Sequence, residues 1–456
     1  MAHVLRPETP PCGQRVPVTH GPKDTNFTIE ILPITPPETP TKESKQKDPF
    51  DASSPVAKFQ NLISPETRPL VAVIGVGYVG THLVSNFSRH WDVLGFDLSE
   101  SRVQSLEADA EFASNPHVEF TTSHERLANA THYLISVPTL LLADKTIDVS
   151  YLKSALETTF QYAQAGATVV IESSVAVGMT RELLGPLAKA RGCFAGMSPE
   201  RVDPGRTEPP ARLIPKVISG LDDVCPGSLA AITRLYDPIF ESLVPVSRPE
   251  VAEFTKLYEN CQRMINIAYA NEMADACSSL GVDPYEVCSA AASKPFGYMD
   301  YKPGLGVGGH CIPVNPWYLL SGCEMPLLRR AAETMDNRPS SIAKRYAGYL
   351  KQNAKSDGRR SRVLVVGMGF KKGQSTLSYS PGLQLARELK KTGHAEVWFA
   401  DPLVEQKSVP FIQKLNDWDG RWLKEFDLIV VAMRQVGLDF ELLEGLESGC
   451  VEWWCP

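Results

Sequence analysis

The chain has 456 residues, a formal net charge of −7 at pH 7 and 43% hydrophobic residues, enough for two or three domains with buried cores. Its acidic balance gives no long-range attraction to nucleic acid. No apolar run is long enough to span a bilayer, and the N-terminus lacks the apolar core of a secretory signal. Its ten cysteines form no CxxC pair or zinc spacing, which fits a reducing compartment. We therefore expect a cytoplasmic protein that binds no nucleic acid, membrane or metal.

Two stretches in which strands alternate with helices flank a helical middle. Residues 1–67 are rich in Pro, Thr, Ser and Lys, a composition that does not offset the entropy of ordering, so we expect a disordered tail. Short apolar strands alternating with helices are typical of a doubly wound parallel sheet. We expect such strands at Leu70–Ile74, Asp92–Phe96, His132–Val137 and Thr168–Ile171, and in a second sheet at Val363–Val366, Glu396–Ala400 and Leu428–Ala432.

The middle of the chain begins with a long helix. Apolar residues recur at helical spacing after Pro249, Ser247 and Glu250 have the spacing of a capping box, and Gly281 is a natural stop. A helix of about 30 residues reaches roughly 45 Å, enough to join two domains and offer a face for a homodimer or higher homo-oligomer. The sequence thus predicts an α/β protein with two Rossmann-like doubly wound domains joined by a long central helix. We expect a tail (1–67), a dinucleotide-binding domain (68–246), a helical region carrying the cysteine loop (247–350) and a second α/β domain (351–456).

A glycine-rich turn follows the first strand and opens a helix. In such a turn the first glycine makes the bend, the second lets the backbone approach a pyrophosphate, and the third lets helix and strand pack closely. The helix N-terminus then presents free N–H groups to the phosphates. The predicted cofactor contacts of this GVGYVG motif are Gly75, Gly77, Tyr78, Val79 and Gly80.

The residues after the second strand indicate which dinucleotide binds. Asp97 ends that strand, where an acidic side chain binds ribose hydroxyls and repels a 2′-phosphate, so NAD is favoured over NADP. Arg102 either lies along the adenosine or is a solvated surface arginine. In the second α/β unit the corresponding turn is GMGF at 367–370, and Lys372 stands at the place of the third glycine. That turn predicts a mononucleotide at the strand ends rather than a second dinucleotide site.

The segment SKPFGYMDYKPGLGVGGHCIPVNPWYLL, residues 293–320, surrounds Cys311 with glycines. Glycines allow close backbone approach and unusual dihedral angles. Backbone N–H groups in such a loop stabilise a thiolate and later an oxyanion. A buried structural cysteine is the usual alternative. Lys256 and Asn260 lie four residues apart and share one face of the long helix, although a solvated stripe has the same spacing.

Several motifs in the same order resemble the UDP-glucose/GDP-mannose dehydrogenase family over nearly all of residues 69–435. Within it, SPERVDPG, LIPKVISG and SKPFGYMDYKPGLGVGGHCIP are similar to the branch that oxidises UDP-N-acetylglucosamine or UDP-N-acetylmannosamine at C6. The resemblance implies an N-terminal NAD domain, a central dimerisation region and a C-terminal nucleotide-sugar domain with the active site between the α/β domains. It implies oxidation of a UDP-sugar alcohol to the acid by two hydride transfers to NAD, through a thiohemiacetal and a thioester on the cysteine.

The resemblance also assigns roles to matched residues. A thiolate suits the cysteine step because it adds readily to an aldehyde and forms an acyl species that hydrolyses. A lysine beside the substrate oxygen supplies the stabilisation that an oxyanion needs. The implied roles are nucleophile for Cys311, water holder for Thr139, help in thioester hydrolysis for Glu200, charge stabilisation for Lys256 and Asn260, a place beside the nicotinamide for Glu172, and substrate contact for Gly308 and Lys371.

Two departures from the family pattern bear on activity. The family usually has Asp four residues after its cysteine, helping to deprotonate the substrate hydroxyl through water, whereas this chain has Asn315. An amide does not accept that proton as a carboxylate does. The family also has Asp and Arg before its C-terminal SP, where this chain has Thr376 and Ser378. The missing arginine weakens a predicted grip on phosphates or on a subunit contact.

Three interpretations follow from these residues. Cys311 and its glycine loop favour an NAD-dependent nucleotide-sugar 6-dehydrogenase. Asn315 and Ser378 favour a paralogue that binds NAD and a nucleotide sugar, turns over poorly and acts as a subunit or sensor. A dehydrogenase for a non-nucleotide hydroxy acid explains neither the cysteine loop nor the second α/β domain. The sequence favours the enzyme.

Overall fold

The structure is a computed structural model that describes residues 68–202, 208–353, 359–446 and 450–455. The tail expected at residues 1–67 lies outside these described residues. The α/β fold of two Rossmann-like units with a long helix between them is confirmed by the arrangement of strands and helices. In the part of the chain that the structure describes, no helix is both long and apolar enough to cross a membrane.

The first sheet has eight strands in the order β10-β9-β8-β7-β4-β1-β2-β3. Its neighbouring strands run parallel except β8 and β9, which pair antiparallel. The order reverses at β1, because β2 and β4 flank it on opposite sides, and ligands bind at such switch points in α/β sheets. The strands are β1 (Leu70–Ile74), β2 (Asp92–Phe96), β3 (Val118–Thr121), β4 (His132–Ile135), β7 (Thr168–Ile171), β8 (Phe194–Met197), β9 (Lys216–Gly220) and β10 (Leu243–Pro245), with a separate hairpin of β5 (Leu140–Leu141) and β6 (Ile147–Asp148).

A second, five-stranded sheet lies in the C-terminal part, in the order β13-β12-β11-β14-β15. All its pairs are parallel, so its central strands are buried on both faces and consist of apolar runs. The strands are β11 (Ser361–Val366), β12 (Ala395–Ala400), β13 (Gln413–Lys414), β14 (Leu428–Val431) and β15 (Val451–Trp453).

Helices cover the sheets and fill the space between them. The longest is 32 residues and the next 27. The α-helices are α1 (Tyr78–Phe87), α2 (Glu100–Glu107), α3 (Ser150–Tyr162), α4 (Met179–Arg191), α5 (Ser228–Tyr236), α6 (Pro249–Leu280), α7 (Pro284–Ala292), α8 (Asn315–Leu320), α9 (Pro326–Gln352), α10 (Pro381–Thr392), α11 (Gly420–Leu423) and α12 (Glu441–Glu444).

The long helix α6 begins without the expected capping box. Its N-cap is Arg248, which makes no side-chain capping bond, and Pro249 is the first helical residue. Proline presets the helical φ and has no N–H to satisfy, so the capping role expected of Ser247 is wrong. Glu250 instead accepts hydrogen bonds from the guanidinium of Arg181 on α4. The predicted stop is confirmed, because Gly281 is the C-cap in the left-handed conformation, with φ +70°.

An apolar cluster between α6, α8 and α9 positions the cysteine loop. Leu257 and Met264 on α6, Tyr318 on α8 and Met335 on α9 are all buried within it. Burying a large apolar side chain contributes about 1.5–3 kcal/mol, so these four anchors hold three helices together. The loop before α8 is thereby fixed beside α6, where Lys256 and Asn260 lie.

Candidate active site

The turn between β1 and α1 forms an open cradle for an anion. Gly75 has φ +87°, and a Cβ added to Gly80 would lie 1.9 Å from the Gly75 carbonyl oxygen, so both positions require glycine. A Cβ added to Gly77 would meet nothing within 4 Å, so the turn is open on that side. No side chain caps α1, which begins at Tyr78 and continues through Val79. An uncapped helix start behind an open turn suits a pyrophosphate, so these residues fit NAD.

Asp97 and Arg102 stabilise this turn from the neighbouring strand and helix. The Asp97 carboxylate accepts the Val76 N–H at 3.0 Å and the Ser99 N–H at 2.9 Å. The Arg102 Nε donates to the Val76 carbonyl at 2.8 Å, and its Nη2 donates to the Thr81 hydroxyl at 2.8 Å. The guanidinium therefore braces the turn itself, a contact that neither sequence interpretation of Arg102 included.

A similar acidic residue supports the second turn, after β11. The buried Asp401 carboxylate accepts the N–H groups of Met368 and Gly369 at 2.8 and 3.0 Å. The following segment, which includes Lys371, folds back over the turn, since a Cβ on Gly369 would lie 2.1 Å from the Gln374 carbonyl oxygen. This covered turn has no open space like that at Gly77.

The cysteine loop is clamped against the segment that links β11 to α10. Gly309 has φ +84°, and a Cβ added there would lie 2.7 Å from the Phe370 ring. A Cβ on Gly308 would lie 2.7 Å from the Phe370 Cβ. The Gly309 N–H donates to the Ser378 carbonyl at 2.9 Å, a bond that does not depend on the side chain at 378. Glycine is thus required at both places by the close approach of Phe370.

Cys311 leads directly into α8. It is half-buried and in no disulfide. Its carbonyl accepts the N–H of Val314 at 3.2 Å and that of Asn315 at 2.9 Å, so the chain turns into the helix within four residues. This turn brings the thiol and the Asn315 side chain to the same face of α6.

Lys256, Asn260 and Asn315 form a polar group beside the cysteine. All three are buried, at 7, 1 and 2% exposed. Burial lowers the pKa of Lys256, and the neighbouring Cys311 and Glu200 oppose this shift. The Asn260 Nδ2 donates to the Asn315 Oδ1, and the Arg263 guanidinium donates to the Asn260 Oδ1. These two bonds fix the orientation of the Asn260 amide, and the Asn315 side chain supplies the oxygen that accepts from it. Sequence reasoning missed Arg263, one turn of helix after Asn260.

A buried ionic group lies at the carboxyl ends of β7 and β8. The Lys216 Nζ is 2.7 Å from a Glu172 oxygen and 2.9 Å from a Glu200 oxygen, and the Tyr236 hydroxyl donates to Glu172. Burial raises the pKa of Glu172 against the effect of Lys216. Burial also acts to raise the pKa of Glu200, but Lys216 and the Val202 N–H outweigh it and the pKa is lowered. Sequence reasoning missed Lys216 and Tyr236, although a lysine within the apolar LIPKVISG run was a signal.

Thr139 lies just after β4 and contacts the segment after β7. Its hydroxyl donates to the Ser174 carbonyl at 2.6 Å. The neighbouring Ser173 hydroxyl donates back to the Val137 carbonyl at 2.6 Å. These two bonds join the carboxyl ends of adjacent strands at the edge where the glycine turn lies.

The buried Glu253 connects α6 to the first domain. Its carboxylate accepts the Gly178 N–H at 2.6 Å and the Thr180 N–H at 2.8 Å, at the start of α4. A carboxylate at a helix N-terminus satisfies free N–H groups and interacts well with the helix dipole. Glu253 thus fixes α6, and with it Lys256 one turn later, against the sheet that carries Glu172.

Together these features define a dinucleotide-binding oxidoreductase fold with a cysteine, a lysine and carboxylates near the strand ends. Residues 69–240 match the NAD-binding domain of the UDP-glucose/GDP-mannose dehydrogenase family, and residues 250–336 match its central domain. The chain belongs to this NAD-binding dehydrogenase family, which confirms the resemblance inferred from its motifs and NAD as the cofactor.

Relatives and solved structures agree with this assignment. The UDP-N-acetyl-D-glucosamine 6-dehydrogenase of Pseudomonas aeruginosa is 33% identical over 346 residues, which cover 70% of this chain and 79% of that protein. The UDP-N-acetyl-D-mannosamine dehydrogenase of Escherichia coli K12 is 30% identical over 74% of this chain and 86% of that protein. The structure of the Pyrococcus horikoshii UDP-D-ManNAc dehydrogenase shares the fold, with a TM-score of 0.73 at 24% identity over 84% of this chain and 99% of that one.

Proposed function

We propose that the chain catalyses the NAD-dependent four-electron oxidation of a UDP-sugar primary alcohol to the uronic acid through a thioester on Cys311. The observation that carries this proposal is the setting of Cys311, a half-buried thiol in a glycine loop that interacts electrostatically with the buried Lys256. The names of the relatives favour a UDP-N-acetylhexosamine. Bound NAD supplies the acceptor for the two hydrides.

The side chains of the site have separate roles in this proposal. The Cys311 sulphur attacks the aldehyde carbon, and the oxygen that becomes negative lies toward Lys256 and Asn260. Loss of the second hydride from this carbon to NAD gives the thioester. Water then attacks the thioester carbonyl carbon, Glu200 accepts a proton from that water, and the C–S bond breaks to restore the thiolate. Thr139 lies at the carboxyl end of β4, where we place the water, and Glu172 lies at the end of the strand that would border the nicotinamide. Gly308 and Lys371 line the substrate side in this assignment.

The proposal divides the chain into three working parts. Residues 68–246 bind NAD, residues 247–350 carry the cysteine loop, and residues 351–456 bind the nucleotide sugar.

We also propose a homodimer through one face of α6. Large apolar side chains lie exposed at helical spacing on that face, at Val251, Phe254, Tyr258, Tyr269 and Met273. Such a stripe on a helix is typical of an interface.

A catalytically weakened paralogue is the second candidate. Asn315 favours it, because its oxygen accepts from Asn260 and an amide does not take up the hydroxyl proton. Ser378 favours it too, because its hydroxyl does not supply the guanidinium that would bind phosphates. Such a protein would bind NAD and a UDP-sugar and serve as a subunit or sensor.

NADH formation by the purified protein separates the two functions. The protein is incubated with NAD and each of a panel of UDP- and GDP-sugars, including UDP-N-acetyl-D-glucosamine, and NADH and acid are quantified. The dehydrogenase yields two NADH per uronic acid, because alcohol to acid is a four-electron oxidation and NAD takes one hydride at a time. If every sugar fails to turn over while NAD and a UDP-sugar still bind, the binding function replaces the enzyme.

A further inference from the structure

Lys216 occupies an unusual place for a lysine. It is the first residue of β9 and is 2% exposed. Its ammonium lies between the carboxylates of Glu172 and Glu200, at 2.7 and 2.9 Å. Taking charges out of water is costly, and apolar replacement of a buried ion pair is often as stable. Stability alone therefore does not explain why a charged side chain occupies this position.

The Glu200 carboxylate is fixed by bonds to both of its oxygens. Oε1 accepts the N–H of Arg201 at 2.7 Å and that of Val202 at 2.9 Å. Oε2 accepts from the Lys216 ammonium. The two backbone bonds hold Oε1, and the bond from Lys216 orients Oε2. An oxygen that accepts from one donor retains a lone pair that can accept a proton from water.

Glu172 holds Lys216 from the opposite side. Its Oε2 accepts from the lysine, while its Oε1 accepts from the Tyr236 hydroxyl. Glu172 and Tyr236 are buried at 1 and 0% exposed. The ammonium is thus held from the side away from Glu200 by a buried carboxylate that is itself hydrogen-bonded to Tyr236.

We infer that Lys216 is a positioning residue that aims the Glu200 carboxylate at the water that hydrolyses the acyl-Cys311 thioester. The inference rests on the proposed function for the role of Glu200. Lys216 touches neither substrate nor cofactor in this arrangement. It acts by holding Glu200 ionised and in one orientation. Glu172, which accepts from the Tyr236 hydroxyl, holds Lys216 from its other side.

Hydrolysis of an acyl-cysteine can be measured without sugar or NAD. p-Nitrophenyl acetate acetylates Cys311 when the sulphur bonds to the acetyl carbon and p-nitrophenolate leaves. Water then adds to that carbon, Glu200 takes a water proton, and the C–S bond breaks to give acetic acid and the thiolate. A burst of p-nitrophenol reports acylation, and the steady phase reports hydrolysis. Cys311→Ala identifies the part of the burst that belongs to this cysteine.

The informative variant is Glu172→Gln/Lys216→Met. Lys216→Met alone leaves two buried carboxylates facing each other and threatens folding. The double variant removes one negative and one positive charge, so the net charge of the group is unchanged. We expect it to keep the burst and to slow the steady phase roughly ten- to hundredfold, part of a general-base contribution. The acid limb of its pH profile should move to higher pH, because Glu200 has lost its cation.

Three further variants complete the comparison. Lys216→Arg keeps the cation and should recover most of the hydrolysis rate, whereas Glu200→Gln should be as slow as the double variant. Lys153→Met, on the exposed side of α3, removes a lysine charge elsewhere and should hydrolyse at the parent rate.

The proposal is overturned if the double variant, with a melting temperature like the parent's, hydrolyses acetyl-Cys311 at the parent rate and with an unmoved acid limb. It is also overturned if the parent hydrolyses acetyl-Cys311 no faster than Glu200→Gln does. Failure of the proposed function has a different signature, which is a missing NADH signal with every nucleotide sugar whatever happens to p-nitrophenyl acetate.

Discussion

Gly309→Ala tests whether the approach of Phe370 holds the cysteine loop in place. Alanine at φ +84° costs about 1–2 kcal/mol of backbone strain. The new Cβ would lie 2.7 Å from the Phe370 ring, and overpacking adds about 1–3 kcal/mol. We therefore expect the free energy of unfolding to fall by about 2–5 kcal/mol. Because Cys311 is two residues away, kcat should fall by up to about a hundredfold while NAD affinity is retained.

Gly373→Ala is the matched control for backbone strain. Its φ is +76°, but a Cβ there would meet nothing within 4 Å, so we expect a loss of only about 1–2 kcal/mol. Urea unfolding gives the stabilities of both variants, and NADH formation gives kcat. In a Phe370→Ala background the cost of Gly309→Ala should fall to that of the control. Equal losses for Gly309→Ala and Gly373→Ala in the parent background would refute the packing argument.

Four other predictions concern the chemistry and the cofactor. Cys311→Ala should lose acid formation, while a fluorescence titration should show that it binds NAD with the affinity of the parent. Formation of uronic acid at the parent rate would exclude Cys311 as the nucleophile. Asn315→Asp keeps the oxygen that accepts from Asn260 and should raise turnover by up to about a hundredfold, whereas equal, substantial rates would make the carboxylate dispensable. Burial lowers the pKa of Lys256, and the proposed role needs its charged form. Activity should therefore be lost as pH rises through the Lys256 pKa, below that of an ordinary lysine. A carboxylate at 315 should move this alkaline limb of the pH–activity profile to higher pH. Asp97 should make NAD bind more tightly than NADP, and the reverse order in paired titrations would contradict its contact with ribose.

The central strands of both sheets were predictable because burial on two faces gives continuous apolar runs. Leu70–Ile74, Asp92–Phe96 and Thr168–Ile171 begin and end as expected. No continuous apolar run marks β9, where Lys216 opens the strand and a glycine ends it. The antiparallel pairing of β8 and β9 depends on contacts between segments about twenty residues apart, which no local pattern specifies.

The site was predictable where one motif carries the chemistry and not where separate segments meet. The glycines around Cys311 were visible in the sequence, but their requirement comes from Phe370 in a later segment. Spacing placed Lys256 and Asn260 on one face of a helix and the family resemblance gave them their predicted roles, while the partners Arg263 and Lys216 appear only when side chains are placed in three dimensions. The family assignment is supported by the matching domains, and the individual residue roles remain predictions.

One helix sets both the seating of the first domain and the reactive face. Glu253 receives N–H groups at the start of α4, and Lys256 and Asn260 lie one and two turns further along α6. Inserting one residue between Glu253 and Lys256 would rotate the remainder by about 100° and advance it by about 1.5 Å. Either the carboxylate or the lysine would then face the wrong way. Length changes are therefore expected to survive selection in the surface loops of homologous chains but not in this stretch, which fixes the distance and angle between the start of α4 and Lys256.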